Sequence, residues 1–200
     1  PIIGCEVYVA RRTRFDKQHE FDAESRHLVL LCKNETGYRN LSYMVSQAFT
    51  EGFYIKPRID LDLLRAHSEG LIALSACLAG EIPRRLLNGD YAGAKEYALT
   101  MRDIFGEDSF YLELQDHGIA EQTEVNRQLL RLHGETGIPL VCTNDAHYLR
   151  REDAERLGYD SAAQWQALLR SRVQLLCENY KIDSRNLKWY AAFHNESHHP

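Results

Sequence analysis

The stretch IPLVCTNDAHY (138–148) reads as a buried strand that ends in chemistry. Residues 138–143 are a nearly continuous apolar run, the pattern of a strand covered on both faces. Asn144, Asp145, Ala146 and His147 follow directly. Alternate residues of extended chain share a face, so Asp145 and His147 point the same way at the strand's carboxyl end. A carboxylate and an imidazole so placed suit a divalent ion such as Zn or Mn. A capping Asp beside a surface His is the equal alternative.

Outward from this stretch, further β-rich runs stand at 1–10 (PIIGCEVYVA), 27–32 (HLVLLC), 71–77 (LIALSAC) and 110–114 (FYLEL). Segments 37–50, 90–105 and 122–135 lie between them with apolar residues at helical spacing, as Tyr38, Leu41, Met44, Val45 and Ala48 show in the first. Gly-Asp at 89–90, Gly-Glu-Asp at 106–108 and Gly-Ile-Pro at 137–139 punctuate them as turns. This alternation predicts an α/β domain of βα units around a largely parallel sheet, with ligands at the carboxyl ends of the strands. Beyond residue 156 the character changes. A helix is expected over 161–180, with Trp165, Leu168, Leu169, Val173, Leu176 and Cys177 on one stripe, followed by a polar end, HNESHHP (194–200).

Further candidates sit in these elements. Glu6 lies inside an apolar strand, where an unpaired carboxylate is costly to bury; a metal could compensate it, or it faces solvent beside Gly4 and Tyr8. His27 opens its strand, so it nears Glu6 only if that strand runs antiparallel to the first, with the polar loop 11–26 closing the pair. Otherwise it is a surface histidine. Cys77 ends a strand before a helix expected near Ala79, a position in which a thiol can ligate metal or simply pack. Lys56 and Arg58 follow Phe53-Tyr54, an aromatic-basic mix able to touch nucleic-acid phosphate, although a solvated loop is the commoner outcome. No Walker loop, GxGxxG or Ser-His-Asp spacing is present.

The 200 residues suffice for one sizeable domain. A net charge of −5 argues against a whole-domain electrostatic grip on nucleic acid but leaves room for a local site where metal meets phosphate. Five scattered cysteines without a CxxC pair make neither a disulfide framework nor a zinc finger, and fit a reducing cytoplasm. No apolar run approaches membrane-spanning length, so no membrane partner is expected. The first residue is Pro1, which predicts an internal piece of a longer reading frame or a processed chain.

Six blocks carry a resemblance: IIGCEVYVA (2–10), HLVLLCKNETGYRNL (27–41), FTEGFYIKPRID (49–60), EGLIALSACLAGEIP (69–83), FYLELQDHGI (110–119) and IPLVCTNDAHYLRREDAE (138–155). In order and spacing they resemble the PHP (polymerase and histidinol phosphatase) domain of the bacterial replicative DNA polymerase III alpha subunit. The resemblance implies a partial PHP domain over 1–155 and a divergent helical tail over 156–200. It further implies an incomplete, distorted β/α barrel, TIM-barrel-like, whose strand ends hold divalent ions: Zn or Mn, with Mg as a third option. Glu6, His27, Cys77, Asp145 and His147 fall on the family's metal ligands. The family's remaining ligands, a His-x-His strand and an Asp-His pair, lie upstream of the block matching Pro1 and are absent from this sequence.

The implied parent is a DNA-directed DNA polymerase, a nucleotidyltransferase working with DNA, other replicase subunits and the rest of its own chain. Its PHP domain would be a metal-dependent 3′–5′ exonuclease or a structural support. This piece lacks the polymerase palm and is expected to be inactive alone. The alternative is a stand-alone PHP phosphoesterase acting on a small phosphate ester; the blocks at 49–60 and 111–118 favour the polymerase branch.

Overall fold

The computed structural model describes residues 2–145. His147, the expected helix 161–180 and the boundary near 155 lie outside the described residues. Twelve elements follow in chain order: β1 (Gly4–Ala10), α1 (His19–Asp22), β2 (Ser25–Cys32), α2 (Glu35–Thr50), β3 (Arg58–Ile59), α3 (Leu61–His67), β4 (Leu71–Leu74), α4 (Glu81–Leu87), α5 (Tyr91–Phe105), β5 (Phe110–Leu114), α6 (Ala120–Thr136) and β6 (Leu140–Cys142).

The strands form one sheet in the order β3-β1-β2-β4-β5-β6. β2 is antiparallel to both β1 and β4, whereas β1–β3, β4–β5 and β5–β6 are parallel. The loop after β1 thus closes an antiparallel pair, and the amino end of β2 lies beside the carboxyl end of β1. β3 and β6 stand at opposite edges, so the described strands make an open sheet and not a closed barrel.

Every residue of β4, β5 and β6 is buried, as continuous apolar runs require. β1 and β2 alternate instead. Val7, Val9, Leu28 and Leu30 face the main core with Leu41, Met44, Leu64, Met101 and Leu129 of the helices. Glu6, Tyr8 and His27 take the other face. A smaller cluster there, Ile72, Leu74, Tyr111 and Val141 with Val29 and Leu31 against it, contains strand residues only. The described helices therefore bury one face of the sheet and leave the polar positions of β1 and β2 on the other.

Side-chain caps fix three helix starts. Asn34 accepts from Gly37 N, Asp60 from Leu63 N and Asp90 from Gly93 N, each contributing about 1 kcal/mol. At Gly37 a Cβ would lie 1.9 Å from the Gly70 carbonyl oxygen, so only glycine lets the start of α2 approach β4 this closely. The expected strand 71–77 stops at Leu74 because Ser75, Ala76 and Cys77 turn away, with Ala76 at φ 63°. Among the described residues no helix is long and apolar enough to cross a membrane.

Candidate functional site

The register of β1 against β2 sets the site. Tyr8 pairs with His27 and Glu6 with Val29, so Glu6 and His27 are diagonal neighbours on the face opposite the helices. Glu6 Oε1 lies 2.8 Å from His27 Nδ1. Cys77 Sγ approaches the same nitrogen to 3.6 Å from the turn after β4. The backbone N–H of His27 donates to the Ala79 carbonyl at 3.2 Å, which fixes β2 against that turn. The Tyr8 ring meets the imidazole edge-on, with centroids 5.2 Å apart. Contacts with the Cys77 thiol and the Glu6 carboxylate push the His27 pKa up to about 10.

The five sequence-predicted ligands thus separate. Glu6, His27 and Cys77 meet. Asp145, at φ 41°, lies on the segment after β6 and acts electrostatically on Glu113. His147 lies outside the described residues. Carboxylate, imidazole and thiol are the right kinds of donor for Zn or Mn. Their arrangement is another matter: Glu6 and Cys77 both face His27 Nδ1, so that nitrogen is already engaged. Among the described residues no group of three or more His, Cys, Asp or Glu side chains is placed to hold a metal ion. The described residues alone do not fit one.

The basic candidates divide as well. Lys56 is exposed; its Nζ stands 5.0 Å from the Tyr8 ring centroid and 3.5 Å from the Tyr8 hydroxyl. Arg58 corrects the sequence expectation. Its side chain is fully buried and donates to the carbonyls of Gly52, Asp22, Arg14 and Asp16 at 2.8–3.3 Å. A guanidinium spent on backbone carbonyls inside the protein is not presented to a phosphate.

Sequence reasoning passed over Glu113. It sits within the apolar run FYLEL as Glu6 sits within its own strand, and that analogy could have found it. Burial pushes its carboxyl pKa up, and the nearby charge of Asp145 adds to the shift. Tyr8 was likewise legible, since it shares a face with Glu6.

Comparison with known proteins identifies the family of the chain. The family model of the PHP domain matches residues 1–117. The chain belongs to the PHP-domain family. The PHP chain is also similar to DNA polymerase III subunit alpha of Treponema pallidum, 51% identical over 154 residues, which covers 76% of this chain and 13% of that protein. The same subunit of Borreliella burgdorferi is 50% identical over 155 residues (77% and 13%). That of Thermus aquaticus is 47% identical over 156 (77% and 13%). This PHP chain therefore spans about 13% of the length of the curated relatives it matches.

Proposed function

We propose that this PHP domain serves a replicative DNA polymerase III alpha subunit, a DNA-directed DNA polymerase of the bacterial cytoplasm. The 51% identity to the Treponema pallidum subunit carries the reading. In it residues 1–155 are a partial PHP domain that would complete a distorted β/α barrel within the longer chain, and 156–200 are a divergent tail. DNA, other replicase subunits and the rest of the polymerase are its partners.

Binding of Zn, Mn or Mg is proposed for Glu6, His27, Cys77, Asp145 and His147 taken together, not for the three that meet among the described residues. The exposed Lys56, held over Tyr8 at the margin of this cluster, would contact nucleic-acid phosphate. The domain would then support either 3′–5′ hydrolysis or the architecture of the polymerase.

A chimera tests the proposal. Residues 1–155 would replace the matching segment of the Treponema pallidum subunit, with DNA synthesis, 3′-end hydrolysis and metal content measured. Synthesis by a folded chimera is expected. Metal lost on Asp145→Ala with His147→Ala would assign those residues. Hydrolysis of a small phosphate ester by this chain alone, with an inert chimera, would favour the free phosphoesterase and sink the replicase reading.

A further inference from the structure

We propose that Glu113 is a positioning residue of this PHP site, tying the turn that carries Cys77 to the segment that carries Asp145. The inference rests on the proposed reading of those two as site residues and adds a group that neither the ligand set nor the phosphate contact includes.

Glu113 is 5% exposed in a strand whose every residue is buried. A carboxylate there is costly unless its oxygens are satisfied. Among the described residues no Lys or Arg forms an ion pair with it; its partners are hydrogen-bond donors just past the ends of its own strand and of the two flanking ones. Oε2 accepts from the backbone N–H of Ala76 at 3.0 Å. Oε1 accepts from Gln115 Nε2 at 3.0 Å and from the Thr143 hydroxyl. Its own N–H donates to Ser75 Oγ at 2.8 Å.

These bonds begin where the sheet's own bonds end. The last β4–β5 backbone bond runs from Ser75 N to Tyr111 O, and the last on the β6 side from Thr143 N to Leu114 O. Beyond those points both chains leave the sheet through left-handed backbone, Ala76 at φ 63° and Asp145 at φ 41°. Non-glycine residues hold such angles only where their surroundings impose them. The Glu113 carboxylate reaches across both exits. One oxygen holds the residue before Cys77, and the other holds the residue two before Asp145.

The test follows the reactivity of Cys77 in the full chain. Alkylation by iodoacetamide would be timed site by site by mass spectrometry, with Cys5 and Cys32 as internal standards. Glu113→Ala is expected to speed alkylation of Cys77 about tenfold by freeing its turn, with the two standards unchanged. Glu113→Gln keeps an acceptor for Ala76 N–H and is expected to stay near the wild-type rate. Thr143→Val, a mild change in case the alanine variant does not fold, touches neither Cys77 nor its turn. It is expected to raise the Cys77 rate by a smaller factor, and to have no effect when Glu113 is already alanine. All three cysteines accelerating together, or Cys77 responding to no variant, would overturn the proposal. Metal content, measured on the same samples, reports separately on the site reading: a Cys77 response without bound metal would support the tie and count against the ligand assignment.

Discussion

Two polar clusters border β1, and they are built on opposite terms. The corner around Arg58 is closed. Its guanidinium meets four backbone carbonyls, and neighbouring Asp22 accepts from Arg12 Nε at 2.9 Å and from Gln18 N at 2.9 Å. Arg14 is held by Asp60 and Glu51. The corner leaves so little room that a Cβ on Gly52 would sit 1.9 Å from the Arg58 carbonyl oxygen. The cluster around His27 is open: the Glu6 side chain is 40% exposed and that of His27 26%. A closed cluster has spent its hydrogen-bonding capacity on the fold. An open one keeps groups accessible to a ligand. Stability should therefore depend on the first and recognition on the second.

The largest expected effect is on the closed side. Arg58→Ala would strand buried carbonyls from the loop after β1 and the end of α2, and should cost about 3 kcal/mol or more. Urea unfolding checks it. A loss below about 1 kcal/mol would mean that the corner is as permissive as a surface ion pair, and the contrast between the clusters would collapse.

Asp22 sharpens the same contrast through pH. The hydrogen bond from Arg12, helped by the N–H of Gln18, holds its pKa down to about 2 from an ordinary 3.8. A depressed carboxyl contributes stability that is complete above the ordinary value and lost as pH falls through the folded one. Wild type should therefore exceed Asp22→Asn in melting temperature above pH 4, with the gap closing between pH 4 and 2. A gap that stays constant across that range would show that the charge of Asp22 is immaterial to the corner.

Much of this was legible in the sequence, for physical reasons that also mark the limit. The long periodic helices α2, α5 and α6 and the apolar strands β4, β5 and β6 declare themselves because burial dictates their pattern. The two-residue β3 and the short α1 and α3 carry too few residues for a period to show. The approach of His27 to Glu6 followed from one inference, that β2 runs antiparallel to β1. Arg58 was misjudged because Lys-Pro-Arg after two aromatics looks solvated, and backbone carbonyls of a distant loop that accept from it leave no side-chain signature. Glu113 was missed although a carboxylate in an apolar strand had already singled out Glu6.

The smallest expected effect is on the open side. Glu6→Gln breaks the pair with His27 while keeping volume and polarity. Both side chains reach solvent, so their attraction is screened and the freed imidazole can be hydrated. The loss should be about 1 kcal/mol or less in urea unfolding, well under that of Arg58→Ala in the same buffer. An equal loss would make Glu6 and His27 a structural clasp, and would remove the physical reason for regarding this face of the sheet as the one kept free for a ligand.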